Sequence, residues 1–96
     1  ARYWGYAPAA PPDLTDVDAA AAALDAALEE SVRLHLLSDV PVGVLLSGGL
    51  DSRAVTAYAR AAFGGPVRTY SVGFAGGESE LPEARRTAAE LGTIHS

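Results

Sequence analysis

Residues 42–52 read VGVLLSGGLDS, a continuous apolar run followed directly by a turn that contains two adjacent glycines. A helical sequence, residues 53–63, continues from this turn without a break. An unbroken apolar run is typical of a parallel strand that is covered on both faces. A strand, a glycine turn and a helix start in this order surround one small volume with backbone N–H groups, which suits an anion such as phosphate.

Each side chain of the turn has a chemical reason to be there if phosphate binds. Gly48 and Gly49 permit turn angles closed to other residues and let an anion approach the backbone without a Cβ in the way. The hydroxyls of Ser47 and Ser52 can donate hydrogen bonds to phosphate oxygens. The carboxylate of Asp51 repels an anion but suits a Mg²⁺ ion held against it. The alternative is an ordinary turn in which Asp51 or Ser52 caps the following helix.

Composition and spacing exclude several other functions. A Walker A loop needs a Lys, and the chain contains none; the Gly-x-Gly-x-x-Gly dinucleotide fingerprint is also missing. The net charge of −5 argues against nucleic acid as a partner. With no Cys there is neither a disulfide framework nor thiol chemistry. No run approaches the roughly 18 apolar residues of a membrane helix, so we expect a cytoplasmic protein without membrane contact.

Alternating strand and helix patterns predict the fold class. The predicted elements are a helix over 15–37 opened by Thr15 and Asp18, a strand over 42–46, a helix over 52–63, a strand over 67–74, a helix over 80–91 capped by Ser79, and a strand starting at 93–95. This order indicates an α/β, Rossmann-like parallel sheet with helices on both faces, here truncated. Ligands of such sheets bind beyond the carboxyl ends of the strands, where the glycine turn lies.

The motifs resemble a known family. Residues 47–52 look like the PP-loop of the ATP pyrophosphatases. The approach to the loop, residues 33–46, resembles that of the class B, glutamine-dependent asparagine synthetases. Tyr3 and Trp4 with Pro8 resemble the linker of these enzymes, and the segments 70–74, 80–84 and 91–95 resemble their next strand, helix and strand.

The resemblance implies a reaction and a set of binding residues. The family consumes ATP with Mg²⁺, adenylates the carboxylate of aspartate, and aminates it with ammonia released from glutamine. It implies pyrophosphate binding by the loop, adenine and ribose near Leu45 and Val72, and Mg²⁺ on Asp51. The loop residues concerned are Ser47, Gly48, Gly49, Leu50, Asp51 and Ser52. The family's catalytic residues have no counterpart among these 96 residues.

The same resemblance predicts the domain organisation. Residues 1–12, which contain Pro8, Pro11 and Pro12, are expected to be an extended interdomain linker. Residues 13–96 are expected to be the N-terminal portion of an ATP-binding synthetase domain. We expect this portion to pack against a glutaminase domain and the rest of the synthetase, to be inactive alone, and to belong to a homodimeric protein.

Two alternatives remain at the level of sequence. Arg53 occupies a position that is often Ser or Thr in PP-loops; it either contacts phosphate or substrate, or it is a surface residue. A substrate contact would leave room for a related adenylating enzyme, such as a β-lactam synthetase or a peptide cyclase. The other alternative is a non-catalytic nucleotide-binding domain.

Glu80 matches an acidic position of the family, and helix capping or solvation is its expected role. For His35 and His95 we expect structural roles.

Overall fold

The computed structural model describes residues 1, 3, 5, 16–73 and 79–96. Its elements in chain order are α1 (Val17–His35), β1 (Gly43–Leu45), α2 (Leu50–Phe63), β2 (Arg68–Tyr70), α3 (Leu81–Leu91) and β3 (Ile94–His95). The three strands are parallel and lie in the order β1-β2-β3. The predicted Rossmann-like α/β fold is thereby confirmed. Most of the predicted linker, residues 1–12, lies outside the described residues.

The cap of α1 lies one residue beyond the predicted one. The Asp16 carboxylate accepts hydrogen bonds from the N–H groups of Asp18, at 3.3 Å, and Ala19, at 3.4 Å. Thr15, the predicted cap, lies outside the described residues. An acidic N-cap complements the positive end of the helix dipole. In the described part of the chain, no helix is both long and apolar enough to cross a membrane.

Glycine ends α2 and α3, as their sequences predict. Gly64 has φ +64° and Gly92 has φ +63°, the left-handed conformation that only glycine adopts without strain. The N-cap residue of α3 is Glu80 and not the predicted Ser79, and the Glu80 side chain makes no capping hydrogen bond. The Ser79 hydroxyl accepts a hydrogen bond from the Leu81 N–H at 3.3 Å, just before the helix. Of these helix ends, the start of α3 borders the candidate site.

All three helices pack on the same face of the sheet. Val32 of α1 and Ala59 of α2 form one buried cluster with Val67, and Leu46 forms a second cluster with Ala84 and Ala88 of α3. The strand order explains the placement of α2 and α3, because crossovers of one hand that step in one direction along a sheet place their helices on the same face. α1 precedes the first strand and packs on α2 through Val32.

The opposite face of the sheet is open, and here the expectation of cover on both faces is wrong for the described residues. Leu45 is 74% exposed, Ile94 46% and Tyr70 42%. Two consecutive apolar residues point to opposite faces of a strand. The apolar run of β1 therefore contributes Val44 to the helix-covered face and Leu45 to the open one.

Candidate functional site

A cleft of about 330 Å³ lies at the carboxyl ends of β1 and β2, beside the start of α3. It is lined by Leu45, Leu46, Ser47, Tyr70, Ser71, Val72, Glu80, Leu81 and Ala84. Leu45 and Val72, predicted to lie near adenine and ribose, thus face the same cleft. The cleft occupies the edge of the sheet at which parallel α/β folds bind ligands.

Hydrogen bonds hold the two strand ends of this cleft together. The Leu46 N–H donates to the Tyr70 carbonyl at 2.8 Å, and the Ser71 hydroxyl donates to the Leu46 carbonyl. The Ser71 N–H continues the ladder to the Ser96 carbonyl at 2.9 Å. Ser71 was not predicted as a site residue. Its hydroxyl bonds to a residue 25 positions away, and a local sequence pattern cannot indicate such a contact.

The two serines of the glycine loop bind each other. Their hydroxyl oxygens lie 2.9 Å apart, and the Ser47 N–H donates to the Ser52 hydroxyl at 3.1 Å. The Gly49 N–H in turn donates to the Ser47 hydroxyl at 3.2 Å. The serine hydroxyls therefore stabilise the loop through hydrogen bonds between its own residues. Their predicted contact with phosphate stays a prediction and requires the hydroxyls to rotate.

Among the described residues, no side chain caps the N-terminus of α2. Gly49 is the N-cap residue, and neither Asp51 nor Ser52 has the capping role of the alternative interpretation. The first N–H groups of a helix lack partners within the helix. The amides of Leu50, Asp51 and Ser52 therefore have no acceptor within α2 and lie at the positive end of the helix dipole.

Asp51 is an exposed carboxylate in the first turn of α2, beside these donors. Among the residues that the structure describes, no three His, Cys, Asp or Glu side chains form a group that could hold a metal ion. Mg²⁺ commonly binds one or two carboxylates together with substrate phosphates and water. The donor set here fits that mode of binding, with Asp51 as the one protein ligand from this loop.

Glu80, for which helix capping or solvation is the expected role, contacts the glycine loop. Its carboxylate oxygen Oε2 accepts a hydrogen bond from the Gly48 N–H at 3.2 Å. The start of α3 also packs closely on the loop, because a Cβ built on Gly48 would lie 3.1 Å from the Glu80 Cβ and 3.3 Å from the Glu83 Cβ. This contact joins residues 32 positions apart, so local pattern could not reveal it.

Arg53 and the two histidines contact groups outside the loop. Arg53 Nη2 lies 2.6 Å from Oε2 of Glu90 on α3, and the two side chains are 52% and 46% exposed. This ion pair favours the surface role for Arg53. His95 lies 3.0 Å from the Thr69 hydroxyl, and His35 lies 2.7 Å from the Ser31 carbonyl oxygen, both consistent with structural roles.

Comparison with known proteins identifies the family. Residues 23–96 match the family described as asparagine synthase. Asparagine synthetase B (glutamine-hydrolyzing) of Escherichia coli (strain K12) is 40% identical over 82 residues, which cover 72% of this chain and 15% of the relative. Asparagine synthetase (glutamine-hydrolyzing) 1 of Bacillus subtilis (strain 168) is 48% identical over 67 residues, or 69% of this chain and 10% of the relative.

A plant protein gives a similar result. Asparagine synthetase (glutamine-hydrolyzing) of Asparagus officinalis is 40% identical over 78 residues, which cover 72% of this chain and 13% of the relative. The chain thus spans about one seventh or less of the length of these relatives. The family match extends from within α1 through the glycine loop to the last residue, Ser96. On this match the chain belongs to the asparagine synthase family.

Proposed function

We propose that the full-length protein is an ATP-dependent, AMP-forming ligase that converts aspartate into asparagine with ammonia released from glutamine. The observation that carries the proposal is the N-terminus of α2, which no side chain of residues 16–73 or 79–96 caps and which follows directly from the glycine loop at the ligand-binding edge of a parallel sheet. The names of the relatives, glutamine-hydrolyzing asparagine synthetases, support the choice of substrates.

The pyrophosphate part of ATP would bind at the loop. The free donors are the first-turn amides of α2, which offer hydrogen bonds and the positive end of a helix dipole. The residues proposed to contact it are Ser47, Gly48, Gly49, Leu50, Asp51 and Ser52. The contact of Gly48 would be through its Cα, because its N–H donates to Glu80. Ser47 and Ser52 would exchange their mutual hydrogen bond for bonds to phosphate oxygens.

The adenosine part would bind in the adjoining cleft. Leu45 and Val72 lie at the ends of neighbouring strands and both line the cleft beside Ser47. A cleft at this edge lets one ligand contact the strand ends and the helix N-terminus together. We propose backbone contacts from Leu45 and Val72 to adenine and ribose.

Mg²⁺ would be bound by Asp51 against the phosphates. One carboxylate from this loop is sufficient when phosphate oxygens and water complete the coordination. The ion would neutralise charge on the phosphates and orient them for the reaction. An acidic residue outside these 96 residues is the expected second protein ligand.

The chemistry proposed is adenylation followed by amide formation. A carboxylate oxygen of aspartate attacks the α-phosphorus of ATP, the bond to the β-phosphate oxygen breaks, and pyrophosphate leaves with the electron pair. Ammonia then attacks the activated carbonyl carbon and displaces AMP. These residues contribute to the reaction electrostatically, because the loop amides stabilise the charge that develops on the leaving pyrophosphate. None of its residues is proposed as a general acid or base.

The other functions considered have less support. A different carboxylate substrate was suggested by Arg53, but that side chain pairs with Glu90 of α3. A non-catalytic nucleotide-binding domain would share this loop and would differ in the remaining parts of the protein. Packing against a glutaminase domain, homodimer formation and a cytoplasmic location remain proposals of the same kind.

Pyrophosphate release by the full-length protein tests the proposal. ATP, Mg²⁺ and glutamine are supplied, and aspartate is either added or withheld. We expect release that depends on aspartate and forms AMP in equal amount. Pyrophosphate release that requires a carboxylate substrate other than aspartate would indicate a related adenylating enzyme. No release with any carboxylate would contradict an enzymatic role.

A further inference from the structure

We infer that Glu80 is a positioning residue of the glycine loop: by accepting the hydrogen bond of Gly48, its carboxylate holds the loop in the form that leaves the α2 amides free for phosphate. This inference deepens the proposed function and rests on it for the identity of the ligand. The contact that carries it, Gly48 N–H to Glu80 Oε2 at 3.2 Å, is independent of any ligand.

The hydrogen bonds of the loop amides single out Glu80. The N–H groups of Ser47 and Gly49 donate to hydroxyls that belong to the loop itself, Ser52 and Ser47 respectively. The N–H of Gly48 donates instead to a side chain of a different element. Among the described residues, Glu80 is therefore the one side chain outside the loop that accepts a hydrogen bond from its three turn amides. Removing it would break this link between the loop and the start of α3.

The position of Glu80 is fixed by the packing of α3. The Ala84 N–H donates to the Glu80 carbonyl at 3.0 Å, so Glu80 belongs to the first turn of hydrogen bonds of the helix. Ala84 is fully buried and packs on Leu46, the residue directly before the loop. The helix that presents the carboxylate is thus anchored to the strand that leads into the loop. Glu80 can act as a fixed point and not as a mobile surface acid.

The negative charge of Glu80 allows a test, because the inference and its absence predict opposite changes in ATP affinity when Glu80 is removed. A carboxylate beside a phosphate site repels the anion. If Glu80 had no positioning role, its removal would leave ATP affinity unchanged or increase it. If Glu80 holds the loop in shape, its truncation weakens ATP binding although a negative charge is lost. The carboxamide of Gln keeps an acceptor oxygen and removes the charge, so it should preserve positioning.

The experiment compares Glu80→Ala and Glu80→Gln in the full-length protein, with Glu83→Gln as the matched control. Glu83 lies on the same helix next to Gly48, but its carboxylate faces Arg86 at 3.5 Å and makes no hydrogen bond to the loop. Two quantities are measured: hydrogen–deuterium exchange of residues 47–52 without ligand, and the Kd of Mg-ATP by calorimetry. The first needs no ligand and tests the contact directly.

We expect Glu80→Ala to accelerate exchange of the loop amides and to raise the Kd of ATP by about 5- to 10-fold, as for the loss of one hydrogen bond. Glu80→Gln and Glu83→Gln should stay within about twofold of the wild-type values. Unchanged exchange in Glu80→Ala would overturn the inference, as would tighter ATP binding by both Glu80 variants. Failure of the wild-type protein to bind ATP would instead refute the proposed function, whatever the exchange result.

Discussion

Gly48 is the residue where space is most restricted in the loop. A Cβ at this position would approach the Glu80 and Glu83 Cβ atoms to 3.1 and 3.3 Å, closer than most real contacts, and both neighbours belong to the first part of a helix. A side chain can therefore be accommodated only if the loop moves away from α3. Since the loop leads into α2, such a movement also displaces the free amides.

Gly48→Ala should for this reason impair ATP binding. Overpacking of this kind costs about 1–3 kcal/mol, which corresponds to an increase of about 5- to 150-fold in the Kd of ATP if the strain falls on the bound loop. The measurement is ATP titration of the full-length protein. Gly65→Ala is the control, because a Cβ there would lie 3.9 Å from Phe63, an ordinary contact. Equal affinity for ATP in the two variants would show that the loop accommodates the added Cβ without a loss of binding.

Asp51→Asn should remove the metal function of the loop. The carboxamide keeps the shape of the side chain but loses the charge that attracts Mg²⁺. We expect pyrophosphate release by the full-length protein to fall by about 100-fold or more, in keeping with the several kcal/mol that a bound metal ion contributes. Asp39→Asn, a change of the same charge outside the loop, should leave release unchanged. Near-normal release from Asp51→Asn would remove Asp51 from the proposed site.

At the scale of elements, a hydrogen bond joins α1 and α2. The Tyr58 hydroxyl donates to the Asp25 carboxylate, and this bond raises the pKa of Tyr58 above its ordinary value, with smaller contributions from burial and from the charges of Asp25 and Glu29. A raised pKa means that the folded protein favours the neutral phenol. The bond therefore stabilises the fold fully below the ordinary tyrosine pKa of about 10 and less as pH rises through the raised value.

The Tyr58→Phe variant tests this direction. The difference in stability between wild type and Tyr58→Phe should be constant from pH 7 to about 9 and should shrink above about 10. Denaturant unfolding of the full-length protein at each pH gives the difference. Ultraviolet titration of the two proteins should show one phenol of the wild type ionising later than an ordinary tyrosine. A difference in stability that grows with pH would contradict the assignment.

The ion pair between α2 and α3 should contribute little to stability. Arg53 and Glu90 are both about half exposed, and exposed pairs typically contribute about 0.2–1 kcal/mol. A double-mutant cycle with Arg53→Gln and Glu90→Gln should give a coupling energy below about 1 kcal/mol in unfolding experiments. In the same variants the Kd of ATP should stay within about twofold of the wild-type value. A large loss of ATP affinity in Arg53→Gln alone would restore the phosphate-contact alternative.

Sequence predicts the elements better than their arrangement. Helix ends depend on neighbouring residues, which is why Gly64 and Gly92 were placed correctly from local pattern. The contact of Glu80 with Gly48 depends on how two strand–helix junctions meet, and no periodicity encodes that. The placement of the helices on one face of the sheet could not be predicted for a similar reason. It follows from the strand order β1-β2-β3, which the apolar patterns do not determine.

At the scale of the whole molecule, the helix-covered face provides a small core. Its buried apolar residues are Val32, Leu46, Ala59, Val67, Ala84 and Ala88, of which half are alanines that bury little area. The open face exposes Leu45 opposite Tyr70 and, on β3, Ile94 opposite Arg68, and the Tyr70 ring lies over Gly43. A sheet with an uncovered apolar face and free edges tends to associate with other sheets.

These 96 residues expressed on their own should therefore be marginally stable and prone to self-association. The cause is the open face, so a charge introduced there should reduce association while the helices persist. Ile94→Lys is the test variant, because this side chain is 46% exposed on the open face. Leu46→Lys is the contrasting variant, because Leu46 is buried against Ala84 and Ala88 and its replacement should unfold the chain. Light scattering reports association and far-ultraviolet circular dichroism reports helix content. A wild-type chain that stays monomeric and unfolds cooperatively well above ambient temperature would show that the helix-covered face alone sustains an autonomous domain.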